Sequence, residues 1–294
     1  MQNLNIILNE LNYSYSKKYK NADCVFFDST APLEETSDGK YIFRIRDTKS
    51  YEKLLEHKYN VAAVVCNEDI AGIISKDFSV VFVEKNSERL FWLIHNSMKS
   101  DEKYKTTVGE KCLIAASVSI SNQNVKIGNN VIIEENVVIR ENVQIGDDSV
   151  IRAGCVIGGE GFQQYRDDLG VISIKHHGSV IIGENVEIQY NSCVDKGLYK
   201  YMSTSVSKGC RIDNLVQIGH NSNIQENVFI ASGAVIGGYV KIGRNCFIGM
   251  NAAIMQHVNI GENCLIGMNS PVIKDVGPNL VVAGFAARAV EEKK

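Results

Sequence analysis

The chain has 294 residues, 31 Lys and Arg against 34 Asp and Glu, a net charge of −3 and 45% hydrophobic residues. That balance gives no electrostatic case for nucleic acid or an anionic membrane surface. No segment approaches the roughly 18 apolar residues of a membrane-spanning helix, and residues 1–10 lack the basic start and apolar run of a signal peptide, so a cytoplasmic chain without integral membrane contact is expected.

Residues 1–103 carry no long-range period and read as a small α/β domain. A helix is expected over 49–58, a strand over 61–66 and a second strand over 79–83. Residues 87–98 suit an amphipathic helix capped by Ser87. His57 and His95 fall in or near these helices and read as structural or solvated. The polar segment 99–107 is the expected linker.

Beyond it the pattern changes. After early repeats at Val108, Ile114 and Ile120 and a one-residue shift, Ile127, Ile133, Ile139, Ile145, Ile151 and Ile157 stand six apart. A second run from Ile182 to Val272 keeps that spacing and fails only at Lys200. Neither a helix (period 3.6) nor a flat sheet (period 2) asks for an apolar residue every sixth place. A hexapeptide β-solenoid does, because each six-residue unit forms one side of a triangular coil and points one branched side chain inward. Residues n and n+18 then stack about 4.8 Å apart. The solenoid is expected over 104–276, followed by a short tail over 277–294. Ile157 and Ile182 are not a multiple of six apart, so a loop is inserted at 158–181, and a long loop on a rigid scaffold is more often functional than ornamental.

Cys112, Cys155, Cys210, Cys246 and Cys264 each fall four residues after a repeat position and read as small buried hydrophobes. No CxxC pair occurs, so zinc held through cysteine is not expected, and no metal residue is assigned. His220 and His257 follow repeat positions 218 and 254, which share one column. The two histidines are therefore expected on one edge of the prism, roughly 10 Å apart, with room for substrate between them and Gly219, Gly237 and Gly238 opening space nearby. Asp195 and Asp213, eighteen apart, are expected to stack, with Arg211, Lys196 or Lys175 as counterions; either carboxylate, or Asp213 of a neighbouring copy, is a candidate to orient His220.

The residues then carry a resemblance. GGEGF (158–162), VIIGENVEI (180–188), VDKG (194–197), RIDNLVQIGHN (211–221) and the spaced His257 resemble UDP-3-O-acylglucosamine N-acyltransferase of lipid A synthesis over about 150 residues, and the first domain is similar to that family's nucleotide-sugar recognition domain. The resemblance implies a left-handed parallel β-helix, a homotrimer with sites between subunits, and transfer of an acyl group from a thioester to a sugar amine. It implies His220 as general base and His257 near the thioester or oxyanion. Asp195, Asp213, Asn214, Glu160, Phe162 and Phe43 are the candidate substrate-binding residues, Phe43 as an aromatic stacking on uracil. Gly237, Gly238 and Arg288 are the candidates for the donor. An imidazole neutral near pH 7 can take the proton of an attacking amine, and no covalent intermediate or permanently bound cofactor is needed.

Three features depart from that family. The chain ends soon after the last coil, where the lipid A enzymes carry a longer helical extension. AGFAAR (283–288) resembles the tail of CoA-dependent hexapeptide acetyltransferases. Residues 42–51 depart from the family's nucleotide motif, and His176 and His177 have no counterpart in it. The expectation is thus an acyl-CoA donor and a nucleotide-linked amino sugar of surface polysaccharide synthesis. Lipid A acylation from acyl carrier protein is the alternative. A zinc carbonic anhydrase, needing closely spaced histidines, and a non-catalytic scaffold are more remote.

Overall fold

The computed structural model describes residues 1–11, 25–33, 39–56, 61–74, 76–78, 80–83, 86–99 and 103–284. They form two units, Met1–Asp101 with Phe162–Lys175, and Glu102–Gly161 with His176–Lys294. Arg288 and His57 lie outside the described residues.

In the first unit, strands Ser29–Ala31, Tyr41–Ile45, Val61–Asn67 and Val80–Val83 make a parallel sheet in that order. Parallel neighbours need crossovers, and helices Thr48–Glu56 and Glu68–Ile74 supply those on either side of Val61–Asn67. The helix Ser87–Ser97 is capped by Asn86, not Ser87: the Asn86 side chain accepts from the Arg89 N–H at 3.0 Å. Ser87 is instead buried, its own N–H donating to Asn67 Oδ1.

The insertion differs from the expected solenoid loop. Strands Gln164–Asp167 and Gly170–Ser173 form an antiparallel hairpin belonging to the first unit. It is fastened to the helix Ser87–Ser97. Arg89 pairs with Asp167 at 2.5 Å, both side chains largely buried, and Asn86 donates to Tyr165 Oη and Asp167. His95, fully buried, bridges Thr30 Oγ1 at 2.6 Å and the Lys175 carbonyl at 2.8 Å, which accounts for it as a structural residue.

Among the described residues the second unit is a three-sided parallel β-helix whose sheets hold eight, nine and eight strands. The every-sixth Ile and Val side chains, Ile127 to Val272, line its interior and are buried, as are Cys155, Cys210, Cys246 and Cys264. Coils continue past 276: Val281–Val282 pairs with Leu265–Ile266, so the expected tail is partly a further coil. Each corner needs one residue in the left-handed region, three after a repeat position. Asparagine fills most of them, at 130, 136, 142, 185, 191, 221, 227, 245, 251, 263 and 269, because its short polar side chain tolerates that backbone.

Two expectations drawn from the eighteen-residue stacking fail together. Ile182 pairs with Val206, Ile188 with Ile212 and Val194 with Ile218, twenty-four positions on rather than eighteen. One extra hexapeptide's length leaves the coil as a turn through Leu198–Met202, where the Met202 N–H donates to the Tyr199 carbonyl and the Tyr199 and Tyr201 rings stack. Lys200 is therefore no failed repeat position. Asp195 and Asp213 do not stack; they lie beside different sheets, next to Val194 and Ile212.

Candidate active site

At the corner after the strand Gln217–Ile218, the chain runs through Gly219 and His220 to Asn221, whose φ of +60° makes the turn. The next two coils place Tyr239 and His257 at the equivalent left-handed position, with φ of +62° and +65°. A tyrosine held there bears backbone strain that an asparagine would not, and such outliers gather at functional sites. The Tyr239 N–H donates to the His220 carbonyl and the His257 N–H to that of Gly238. The edge is thus a ladder of rings. His220 meets Tyr239 edge-on at 5.3 Å, and Tyr239 stacks on His257 at 4.7 Å with only 15° between planes. The expected gap for substrate between the histidines is filled by Tyr239.

The glycines act differently from expectation too. A Cβ on Gly238 would stand 2.7 Å from the His220 ring, and one on Gly237 would stand 2.6 Å from the Gln256 backbone nitrogen. They permit close packing of ring on backbone and coil on coil, not an open donor channel.

On its other side His220 faces residues flanking the insertion. A Cβ on Gly161 would lie 2.6 Å from His176 Nε2 and 2.8 Å from His220 Nδ1, so both nitrogens converge on one side-chain-free position. The two imidazoles meet edge-on, centroids 5.1 Å apart. His176 is buried. Its Nδ1 lies 3.3 Å from Glu160 Oε2, in ion-pair range but outside hydrogen-bond geometry, while its backbone N–H donates to the same oxygen at 2.7 Å. Among the described residues its Nε2 has no hydrogen-bond partner. Lys196 Nζ holds the other Glu160 oxygen at 2.9 Å.

The electrostatics follow from burial and pairing. Burial first, then the nearness of His176 and His257, pushes the His220 pKa down to about 4, so its imidazole is neutral at physiological pH. Burial alone would raise Glu160, but His176 and Lys196 prevail and hold it at about 2. Asp195 is pushed up to about 6 by burial, against the opposing influence of His176 and a 2.8 Å hydrogen bond from Gln217 Nε2. Among the described residues no carboxylate reaches His220 within hydrogen-bond distance. The expected orienting carboxylate serves His176 instead, and it is Glu160.

The remaining candidates scatter. Asp213 accepts from the Ser232 hydroxyl and from the backbone N–H groups of Ser232 and Asn214, which outweigh burial and keep its carboxyl below the usual range. Asn214 Oδ1 accepts from the Tyr190 N–H at a coil corner. Neither joins His220 within the chain. Arg211 braces Asn185 rather than either aspartate. Phe162 is 89% exposed in the first unit. Phe43 has no exposed surface at all: it lies in the first unit's core, edge-on to Tyr41 at 6.2 Å. A ring buried on both faces offers nothing for a base to stack on, so Phe43 is a core residue. Among the described residues no three His, Cys, Asp or Glu side chains gather to hold a metal ion.

Chemically, this corner presents a neutral, largely buried imidazole able to accept one proton, backed by a second imidazole in contact with a carboxylate. Tyr239 was a missed neighbour whose signal was in the sequence, a bulky residue at a corner register that asparagine otherwise occupies. Gly161 had no such signal, and Lys196, expected as a counterion for the stacked aspartates, pairs with Glu160 instead.

The family model for bacterial transferase hexapeptide (six repeats) matches residues 124–159 and 239–270. Those two stretches of the solenoid are therefore similar to bacterial transferase hexapeptide repeats. Hexapeptide proteins similar to it include UDP-3-O-acylglucosamine N-acyltransferase 2 of Legionella pneumophila, 43% identical over 93 residues, 31% of this chain and 26% of that one. UDP-3-O-acylglucosamine N-acyltransferase of Helicobacter pylori is 41% identical over 93 residues, 31% of this chain and 27% of that one. The chain thus spans about a quarter of the length of the curated relatives it matches. Among solved structures, UDP-N-acetylglucosamine acyltransferase from Campylobacter jejuni matches with a TM-score of 0.54 and 25% identity, over 60% of this chain and 66% of that one. The hexapeptide coil here is accordingly a left-handed parallel β-helix. Among the described residues no helix is long and apolar enough to cross a membrane.

Proposed function

We propose that the chain is a nucleotide-sugar N-acyltransferase, moving an acyl group from a thioester to the amine of a UDP-linked glucosamine. The observation that carries this reading is the neutral His220 imidazole at a hexapeptide corner, in a chain similar to acyltransferases of UDP-sugars. The amine attacks the thioester carbonyl while His220 removes its proton, and the thiolate leaves as the amide forms. Burial supports the role, because a neutral base needs no prior deprotonation. Its low pKa makes the resulting imidazolium a poor resting state, so the proton must be passed on or quickly returned. His257, stacked behind Tyr239, is assigned to the edge along which the thioester lies, and Asp195 to the acceptor.

The relatives' name supports a 3-O-acylated glucosamine acceptor, and with it an acyl carrier protein donor, ahead of the polysaccharide precursor and acyl-CoA that the sequence had placed first. We assign the working form to a homotrimer. A stacked row of Phe229, Phe247, Leu265 and Val281, each 42% exposed or more on the outer face of one sheet, supports self-association.

A mass-spectrometric screen tests the function. Purified protein is mixed with UDP-3-O-acylglucosamine and other UDP- and dTDP-amino sugars, against hydroxyacyl thioesters of acyl carrier protein, acetyl-CoA and 3-hydroxybutyryl-CoA. An amide product with one of these pairs is expected. Thioester hydrolysis without any amide across the whole set overturns the reading.

A further inference from the structure

We propose that His176 is the proton-relay partner of His220, a positioning residue whose Nε2 receives the proton that His220 gives up from Nδ1, with Glu160 neutralising the imidazolium so formed. The proposal rests on the acyl-transfer reading for the origin of the proton.

Three features of the site carry it. His176 is buried, yet among the described residues its Nε2 has no hydrogen-bond partner; a buried polar atom left unmatched is costly and calls for an explanation. That nitrogen shares the space beside Gly161 with His220 Nδ1, and the two rings meet edge-on at 5.1 Å. The opposite nitrogen, Nδ1, faces the Glu160 carboxylate at 3.3 Å, which favours the tautomer carrying hydrogen on Nδ1 and a lone pair on Nε2. The charged groups around the ring are Glu160, its partner Lys196, Asp195 from the neighbouring coil, and His220; His257 bears on His220 from beyond Tyr239.

The proton count closes. As the acceptor amine forms its bond to the thioester carbon, its proton passes to the second nitrogen of His220. His220 releases the hydrogen on Nδ1 to His176 Nε2. His220 is neutral again, and the charge rests on His176 beside the Glu160 carboxylate. When the carbon–sulfur bond breaks, the proton returns along the same path to the thiolate. The relay answers the difficulty that burial creates, since His220 by itself holds an added proton poorly.

The experiment is a pH titration of ring nitrogen resonances in protein labelled with 15N-histidine, on the wild type, His176→Gln and Glu160→Gln, with His220→Gln to assign signals. Coupled rings titrate as one unit with two steps. Wild-type His220 is expected to show a distorted, two-step curve. His176→Gln is expected to make it a single step at higher pH, because a competing site for the proton is gone. Glu160→Gln changes a half-exposed side chain and is a mild test of folding; it is expected to shift the coupled His220–His176 titration to lower pH, because the shared proton loses its counter-charge. A His220 curve identical in all three proteins overturns the relay. With an acceptor found by the screen, His176→Gln is expected to lower kcat roughly tenfold or more while KM changes less than about twofold. A fall confined to KM overturns the relay as well. The titration needs no substrate, so a coupled pair in a protein without amide-forming activity sinks the acyl-transfer reading alone.

Discussion

Gly161 lies against His220 so closely that a single methyl group on its Cα would stand 2.8 Å from the imidazole Nδ1, and 2.6 Å from His176 Nε2. Both separations are shorter than real Cβ contacts, so one ring must move. Gly161→Ala is expected to leave the melting temperature within a few degrees and to lower kcat about a hundredfold, the usual consequence of a misplacement near 1 Å. An unchanged kcat, measured by the amide assay, would show that the His176–His220 arrangement is not what turnover depends on.

Removal of the imidazole itself is the direct test of the base. His220→Ala should lower kcat roughly 10²–10⁴-fold, the range for a lost general acid–base group. The circular dichroism spectrum should stay that of the wild type, because the coil's backbone ladder does not use this side chain. A wild-type rate would sink the mechanism.

The two shifted pKa values make opposite contributions to acid stability. His220 titrates at about 4 folded against 6.5 unfolded, so the unfolded chain binds more protons between these values and stability falls as pH drops through them. Asp195 titrates at about 6 folded against 3.8 unfolded; its contribution is full below 3.8 and lost as pH rises through 6. Between pH 6.5 and 4, His220→Gln should therefore lose less stability than the wild type, by up to about 3 kcal/mol at 1.36 kcal/mol per unit. Asp195→Asn should lose more. Urea midpoints across that window are the measurement, and parallel curves for all three proteins would contradict the assignment.

Leu215 occupies a corner at φ +57° and is 65% exposed. A leucine in the left-handed region costs roughly 1–2 kcal/mol that asparagine largely avoids. Leu215→Asn is expected to raise the melting temperature by about 2–4 °C. A lower melting point would mean that the side chain's packing outweighs its backbone strain.

Phe43, fully buried, should behave as a core residue. Phe43→Ala is expected to cost about 3–5 kcal/mol of stability. The milder Phe43→Leu should leave KM for the nucleotide sugar unchanged, and a large rise in KM without loss of stability would return Phe43 to the binding site.

The failures of sequence reasoning have specific causes. The six-residue period survives an extra hexapeptide without a visible break, because twenty-four and eighteen are both multiples of six. The spacing alone therefore stacked Asp195 on Asp213 when Val194 pairs with Ile218. Tyr239 lies between the two histidines of that edge, where the column spacing alone leaves a gap. Phe43 matched a motif position by type, yet burial is a property of the whole sheet and its covering helices, which no local motif reports.

The sequence by itself determined the solenoid, its three columns, and the edge on which His220 and His257 lie, because an isoleucine every sixth residue has one way to be buried. It also contained the corner rule, through asparagine's tolerance of positive φ. Only the tertiary structure decided what surrounds His220. Glu160 and Gly161 come before the inserted hairpin, His176 after it, and Lys196 from the following coil. Sequence distance across an insertion carries no information about which ends meet. Closure of the coil does, and it brings a carboxylate to His176 and leaves His220 neutral.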